Sequence, residues 1–450
     1  MTEIFPFIGT RYNSRLIEDM KTVISPSYDN LTPEEREEIC RKHPNNILNL
    51  IPAGMSHDDE NYDNSFLRAA SSIQAWRRDG ILVNDNSRSF YLYEQRYSQP
   101  GGGQRCVRGI YALVSLNRKK HSRISVEGSA SYANKSFQLN LLRASKCNFA
   151  PIPMFFHDPE EDFEKICREI MSSKPWEHIC EDDGNEHLLW VINKKPLVCK
   201  IMEVFKKKNC FIMEGHHRYE IARQYRDQQR EVTGREDGKQ PFDYTLSFLS
   251  SFKENSVMTS PVHRVLSTEI GSGVESEEVL EDITEYFNLH PVEINIKKPA
   301  ESASAILRVL KEKGEKHHAI GMALPDGRAW VMTLKNKSKL DELYDEDLNL
   351  SKEAKKLDVS IFYHFIIRQV WVGNPEIELE EDDILYIDDE VMAMDKVTRR
   401  KASAAFFLNP CPMKMLMDVV SAGDVIPPFT VRLHPPLTTG LVIRDMTIRH

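Results

Sequence analysis

The sequence lacks the features that mark secreted, membrane-spanning and zinc-binding proteins. Its eight cysteines form no Cys-x-x-Cys pair and show no Cys/His spacing typical of a zinc site. The first residues contain no basic segment followed by an apolar core, and no apolar run approaches the ~18 residues of a membrane helix. We therefore expect a soluble, cytoplasmic protein with reduced thiols and no membrane partner.

An excess of basic residues is also missing. The 68 Asp and Glu residues outnumber the 59 Lys and Arg residues, which gives a formal net charge of −9. A general nucleic-acid binder normally presents a basic face, so nucleic acid is disfavoured as a partner. The length of 450 residues allows two to three domains, and the hydrophobic fraction of 41% is sufficient for their cores.

Helical and strand patterns alternate along the chain. Apolar residues from Phe66 to Trp76 recur at helical spacing, and the pattern stops before a glycine. Ser89–Tyr93 and Val107–Leu116 are typical of neighbouring strands that flank a Gly-rich turn. Pro325-Asp-Gly-Arg328 joins two further apolar strands and is a hairpin signature. The patterns predict a mixed α+β fold with interlocking halves.

Three regions are predicted from these patterns. Residues 1–150 form an N-terminal α/β region, residues 151–270 a central region around a glycine turn, and residues 271–450 a C-terminal α/β region. The last boundary falls on an acidic, linker-like stretch that begins at Gly271. The sequence does not indicate an oligomeric state.

The stretch from Cys210 to Tyr225 is the most informative part of the chain. An apolar run typical of a buried strand meets a turn at Glu214-Gly215-His216-His217, and a helical pattern then opens with Arg218. Gly215 permits a positive φ and a close approach of another group to the backbone. The start of a helix offers N–H groups and the positive end of its dipole. The pattern indicates a phosphate-binding turn; the alternative is an ordinary strand-to-helix turn with surface histidines.

Blocks along nearly the whole chain resemble the DUF1015 family. The block at Glu214–Tyr219 is similar to the family's Asp-Gly-His-His-Arg-Tyr, with glutamate in place of aspartate. The other blocks occur in the family's order: Val23–Asp29, His43–Leu50, Trp76–Leu82, Leu142–Ile152, Pro261–Arg264, Leu357–Ser360 and Gly440–Val442.

The turn also resembles that of the ParB/sulfiredoxin-like group, one branch of which consists of free serine kinases. The resemblance implies a ParB/sulfiredoxin-like nucleotide-binding element that uses ATP or ADP with Mg²⁺. Its implied reaction is phosphoryl transfer involving free serine or a similar small hydroxy-amino acid. The small-molecule substrate and the nucleotide are the partners that this reaction requires.

Roles for individual residues follow from the resemblance and from phosphoryl-transfer chemistry. Gly215, His216, His217 and Arg218 are expected to hold the phosphates, with Arg218 suited to a bidentate contact. The candidate catalytic residues are Glu127 as general base, His217, and Glu214, which is also the candidate Mg²⁺ ligand. The candidate substrate-binding residues are Tyr28, Asp29, His263 and Arg264.

Several positions depart from the family pattern. A histidine before Glu127 and an Asp-Arg pair near residues 134–138 are replaced, and two lysines are lost at 426–431 and 435–436. These losses leave open a non-catalytic nucleotide sensor of the same family. A metal-dependent hydrolase using His216, His217 and Glu220 is a third hypothesis, although no third ligand has an obvious spacing.

Overall fold

The structure is a computed structural model. It describes residues 2–28, 31–52, 62–98, 103–116, 132–212, 214–252, 258–268, 276–336, 340, 350–371, 383–424, 426–427, 429–430 and 432–448. Helices and sheets are mixed throughout these ranges, which confirms the α+β class. None of the helices in the described ranges combines the length and the apolarity that crossing a membrane requires.

The strands and helices are numbered in chain order. The strands are β1 Ile4–Phe5, β2 Gly9–Tyr12, β3 Leu82–Asn84, β4 Phe90–Ser98, β5 Gln104–Ser115, β6 Cys147–Asn148, β7 Ile152–Phe156, β8 Glu177–Cys180, β9 Glu186–Ile192, β10 Cys210–Ile212, β11 Tyr244–Ser251, β12 Met258–Ser260, β13 His263–Leu266, β14 Phe287–Pro291, β15 Ala319–Ala323, β16 Ala329–Leu334, β17 Ile384–Ile387, β18 Ala404–Leu408, β19 Arg432–His434 and β20 Ile443–Asp445. The α-helices are α1 Pro33–Lys42, α2 Tyr62–Arg78, α3 Tyr132–Ser145, α4 Asp162–Met171, α5 Lys195–Lys206, α6 His216–Thr233, α7 Ser276–Tyr286, α8 Pro299–Gly314, α9 Lys352–Lys355, α10 Asp358–Ile361, α11 Glu390–Thr398 and α12 Met413–Ser421.

The described residues form two compact units. The first unit contains the described residues before 258 together with those from Pro435 onward, and the second contains Met258–His434. Strands on both sides of residue 150 hydrogen-bond in the same sheet of the first unit, and the division into three regions stays a prediction. The last residues of the chain return to the first unit.

An eight-stranded sheet forms the centre of the first unit. Its order is β10-β7-β11-β5-β4-β9-β8, and β1 pairs with β5. The β7–β11 pair is parallel and the other pairs are antiparallel. The two strands predicted around Tyr91 and Tyr111 are neighbours, with these residues opposite each other. A second, four-stranded sheet has the order β3-β2-β20-β6, so the last strand of the chain pairs with two early ones.

Amphipathic helices cover the large sheet. In α4, Phe163, Ile166 and Ile170 recur at helical spacing, are buried, and belong to one hydrophobic core with side chains of the sheet. Phe205 of α5 joins the same core. Helices α3 and α6 contact each other through a smaller cluster that contains Leu142, Ile221 and other apolar side chains. Helix α6 is thereby fixed against the first unit along its length.

The second unit is built on a six-stranded antiparallel sheet. Its order is β14-β16-β15-β18-β13-β17. The predicted hairpin is present as β15 and β16, and Gly327 in its turn has φ +92°. Helix α10 continues as a π-helix over Phe362–Trp371.

Helix α6 differs from its prediction at both ends. It begins at His216, two residues before the predicted start, because Gly215 in the left-handed conformation (φ +78°, ψ +28°) serves as its N-cap. It extends to Thr233, beyond the stretch from Cys210 to Tyr225 in which the helix was predicted. Gly234, also left-handed, ends it with a bond from its N–H to the carbonyl of Arg230.

Candidate functional site

The glycine turn connects an edge strand to the start of a helix. Strand β10 pairs antiparallel with β7, and Ile212 lies opposite Met154. The chain then passes through Glu214, which is half-buried, and Gly215, which is buried, into α6. A Cβ added to Gly215 would lie 3.8–3.9 Å from its nearest neighbours, an ordinary contact distance. The positive φ, rather than lack of space, is therefore what this structure requires of Gly215.

Arg218 ties the turn to two distant segments. Its Nη1 donates to the carbonyl oxygen of Pro151 at 2.8 Å, and its Nη2 donates to Ser27 Oγ at 3.2 Å. Its guanidinium carbon lies 5.7 Å from the ring centroid of Tyr28, within cation–π range. Pro151 precedes β7 and belongs to the block at 142–152, whereas Ser27 and Tyr28 belong to the block at 23–29. Arg218 thus brings three of the family blocks together.

The first turn of α6 contains no acidic residue and begins with His216, His217 and Arg218. Cations at this end of a helix oppose its dipole, whereas an anion there is favoured by about 0.3–1 kcal/mol. Burial, followed by the charge of His217, lowers the pKa of His216 to about 4. His216 is therefore neutral near neutral pH and can donate one N–H bond. The charge distribution at the turn suits an anionic ligand.

The segment at residues 23–28 is held by two further segments of the chain. Ser25 and Thr439 exchange backbone hydrogen bonds of 3.2 and 2.7 Å. The N–H of Ile47 donates to the carbonyl of Val23 at 2.8 Å. Gly440 (φ +96°) lies so close to Ile47 that a Cβ there would approach it to 3.1–3.3 Å. The segment that supplies Ser27 and Tyr28 to Arg218 is therefore itself fixed by the block at 43–50 and by Thr439.

A small cavity of about 50 Å³ adjoins Arg218. It is smaller than the ~300–1,000 Å³ of typical ligand pockets and has room for one or two water molecules. The lining residues come mainly from the family blocks and α6: Tyr28, Gln138, Leu141, Leu142, Cys147, Asn148, Phe149, Ala150, Ile152, Arg218, Ile221, Ala222 and Thr245.

The remaining predicted residues lie outside the described residues or in the second unit. Glu127 and Asp29 lie outside the described residues. His263 and Arg264 belong to the second unit, on β13, and both are fully buried. His263 Nδ1 accepts from the N–H of Leu408 at 3.3 Å, and Arg264 Nη2 donates to the carbonyl of Phe429 at 2.9 Å. These are contacts of a core strand, and the substrate-binding role of the pair stays a prediction.

Potential metal ligands cluster elsewhere in the described residues. His178, Cys180 and Glu186 have ligand atoms within 4.8 Å of one another. Within the described part of the chain, Glu214 belongs to no group of three such residues. Its role as a Mg²⁺ ligand therefore stays a prediction, and the hydrolase hypothesis gains no third ligand.

The second unit contains a larger cavity, of about 420 Å³. Its lining includes His318, whose Nδ1 lies 2.8 Å from Asp358 Oδ1, and Cys411. His318 and Asp358 were not among the site residues predicted from the sequence. The sequence feature that could have pointed to this pair is the family block at Leu357–Ser360, which contains Asp358.

The fold and the turn define an α+β protein with a glycine-initiated helix start that gathers several family blocks. The chain belongs to the DUF1015 family: the family model, described as "Protein of unknown function (DUF1015)", matches residues 4–360. A search of the curated proteins finds no match to the chain.

The matches among solved structures include a conserved hypothetical protein and a free serine kinase. A conserved hypothetical protein from Pyrococcus furiosus is matched over 75% of this chain and 96% of its own, at 12% identity and a TM-score of 0.34. A free serine kinase in complex with AMP is matched over 74% of this chain and 90% of its own, at 12% identity and a TM-score of 0.32. Likenesses at these TM-scores carry no argument about the function of this chain.

Proposed function

We propose that the protein binds a nucleotide through its phosphates at the Gly215 turn. We further propose that it transfers a phosphoryl group to or from free serine or a similar small hydroxy-amino acid. The observation that carries the proposal is the position of Arg218, held in the first turn of a helix that contains no acidic residue there.

Two contributions would act together on a phosphate at this position. The N-terminus of α6 offers backbone N–H groups and the positive end of the helix dipole. Arg218 adds a fixed charge with a planar donor geometry that matches phosphate oxygens. The adjacent cavity holds about 50 Å³, so the sugar and base of a nucleotide would lie outside it. The phosphate chain would lie across the turn.

In phosphoryl transfer, the protein mainly positions the reacting groups and compensates the charge of the phosphoryl group. A Mg²⁺ ion is commonly held by one or two carboxylates together with phosphate oxygens, and Glu214 beside the turn supplies one carboxylate of that kind. Neutral His216 would donate to a phosphate oxygen, and His217 would add a second imidazole. Glu127 would accept the proton of the substrate hydroxyl, with Tyr28 and Asp29 as substrate contacts.

A non-catalytic nucleotide sensor is the second candidate, favoured by the departures from the family sequence. Two lysines, a histidine and an Asp-Arg pair of the family pattern are replaced in this chain. Hydrogen bonds to charged groups contribute about 1.5–3 kcal/mol each, so these losses would weaken stabilisation of a transferring phosphoryl group. Binding without turnover is the outcome that this candidate predicts.

Titration calorimetry of the full chain with ATP, ADP and CTP plus Mg²⁺ tests the shared part of both candidates. Arg218→Ala is expected to lower nucleotide affinity by about tenfold or more, because a charge-assisted contact is lost. Arg218→Lys keeps the charge without the planar donor pair and should fall between the two. Arg235→Ala is the matched control, because Arg235 is exposed beyond the other end of α6 and contacts Gln240.

A second control separates ligand contact from local structure. Ser27→Ala removes the hydroxyl that accepts a hydrogen bond from Arg218 Nη2 and keeps the guanidinium itself. Equal affinities in wild type and Arg218→Ala would refute the phosphate-binding turn. An equal loss in Ser27→Ala and Arg218→Ala would show that Arg218 acts through the segment at 23–28. Product analysis with L-serine or phosphoserine then decides between kinase and sensor.

A further inference from the structure

The hairpin of β8 and β9 presents three potential metal ligands on one face. His178 and Cys180 are alternate residues of β8 and both are exposed, whereas Ile179 between them is buried. Cys180 lies directly opposite Glu186 of β9 in the antiparallel register. Side chains in these positions converge because alternate residues share a face and directly opposite residues are close neighbours.

Two distances within this group are close to those between ligands of one tetrahedral ion. His178 Nε2 lies 3.2 Å from Glu186 Oε2 and 3.7 Å from Cys180 Sγ. Zinc bonds of ~2.0–2.1 Å to nitrogen and oxygen and ~2.3 Å to sulfur, at tetrahedral angles, give about 3.4 Å between N and O and about 3.6 Å between N and S. The observed separations differ from these values by only a few tenths of an ångström.

We propose that this hairpin binds a zinc-type divalent cation through His178, Cys180 and Glu186, with water as the fourth ligand. Thiolate, imidazole and carboxylate are the three ligand types that Zn²⁺ uses in proteins, and the thiolate selects against Mg²⁺ and Ca²⁺. The site is separate from the Gly215 turn in residues and in chemistry, and it does not depend on the proposed function.

A bound ion would disturb few of the contacts between neighbouring charged residues. Arg96 Nη1 lies 3.4 Å from Glu186 Oε2, but the closer partner of Arg96 is Glu94, at 2.7 Å from its Nε. An ion on Glu186 would therefore replace only the longer of the two contacts. Without a metal, an exposed His–Glu contact such as that of His178 and Glu186 contributes little to stability.

A bound ion would join the two outermost strands of the large sheet. Strand β8 is the last strand in the order of that sheet, so no further strand among the described residues pairs with its outer edge. Two of the three ligands belong to β8 and the third belongs to β9, so coordination would cross-link the edge strand to its neighbour. We expect metal binding to stabilise this hairpin against local opening, in proportion to metal occupancy.

Cobalt titration of the full chain, purified without a histidine tag and treated with a chelator, tests the site. Co²⁺ takes the same ligands as Zn²⁺, and a thiolate ligand produces a charge-transfer absorption band. We expect the band to appear with one equivalent of Co²⁺ and to be abolished by Zn²⁺. Cys180→Ser should remove it, and His178→Ala and Glu186→Gln should each weaken binding by at least about tenfold, since even outer-shell partners contribute about 10–100-fold.

Cys199→Ser is the matched control, because Cys199 is also exposed but lies on α5 away from this group. It should leave the band and the affinity unchanged. The proposal is overturned if the wild-type chain shows no thiolate–cobalt band, or if Cys180→Ser retains it. Loss of the band in Cys199→Ser would likewise overturn it, because the thiolate would then come from elsewhere.

Discussion

Replacing Gly215 by alanine separates backbone strain from ligand approach, because α6 has a second glycine of the same conformation at its other end. Gly215 has φ +78° and ψ +28°, and Gly234 has φ +66° and ψ +14°. An added Cβ would lie 3.8 Å or more from any neighbour at Gly215 and would meet nothing within 4 Å at Gly234. Neither substitution creates a clash, so both should impose nearly the same strain.

The expected loss of stability is small and equal in the two variants. A non-glycine residue in the left-handed region costs about 1–2 kcal/mol. Alanine also lowers the entropy of the unfolded chain, which returns about 0.4–1 kcal/mol. The net loss is therefore about 1 kcal/mol, roughly a fivefold change in the ratio of folded to unfolded protein. Urea unfolding followed by intrinsic fluorescence measures it.

Nucleotide affinity should distinguish the two variants where stability does not. If phosphates lie against the backbone at Gly215, the added methyl group and the strained turn should lower affinity by about tenfold or more, as for a lost charge-assisted contact. Gly234→Ala should bind as the wild type does. Titration calorimetry at a temperature where both variants are fully folded is the assay. Equal affinity of Gly215→Ala and Gly234→Ala would refute the reasoning.

Two further predictions concern buried basic residues. Arg444 is fully buried, burial lowers its pKa to about 10, and its guanidinium donates to the carbonyls of Pro241 and Tyr244. Arg444→Met would leave both carbonyls without this donor, at about 1–3 kcal/mol each, so the free energy of unfolding should fall by about 2–6 kcal/mol. Urea titration measures this loss, and a value below about 1 kcal/mol would contradict the prediction. Burial, followed by the charge of Arg264, lowers the pKa of His263 from 6.5 to about 4, so the unfolded chain binds more protons between these pH values. The contribution of His263 to stability is present above pH 6.5 and is lost as pH falls toward 4. The unfolding midpoint of His263→Gln should therefore depend less on pH across this window than that of the wild type. An equal pH dependence in the two proteins would contradict the prediction.

Much of the secondary structure could be predicted from local pattern. The strands around Tyr91 and Tyr111, the hairpin at Pro325–Arg328 and the strand before the glycine turn all appear, because each is specified by adjacent residues. Strand order could not be predicted in this way. The pairing of β20 with β2 joins Ile443 to Thr10, and no local pattern specifies contacts across such a sequence separation.

The local structure of the candidate site could also be predicted from the sequence, but its long-range contacts could not. The turn, its glycine and the helix start follow from Cys210–Tyr225 alone. The partners of Arg218 do not, because Pro151 and Ser27 are 67 and 191 residues away in the sequence. The order of the family blocks indicated which family the chain resembles. Only the tertiary structure shows that three of these blocks meet at the guanidinium of Arg218.

The metal-ligand group at β8 and β9 was missed for a different reason. Zinc spacings in a sequence are defined by pairs of cysteines and histidines a few residues apart. His178 and Cys180 satisfy the requirement only as alternate residues of a strand, and Glu186 joins them only through the register of the hairpin. A one-residue shift of that register would turn Glu186 to the opposite face.

Under the proposed function, Arg218 has two roles that compete for one side chain. Its bond to Pro151 is 2.8 Å long and its bond to Ser27 Oγ is 3.2 Å long. A phosphate oxygen is a stronger acceptor than a neutral hydroxyl, so a bound phosphate would replace the contact with Ser27 more readily than the contact with Pro151. The segment at 23–28 would then lose one of the bonds that hold it to the turn while keeping its backbone bonds to Thr439 and Ile47. Under this proposal, nucleotide binding would be coupled to the packing of this segment through Arg218.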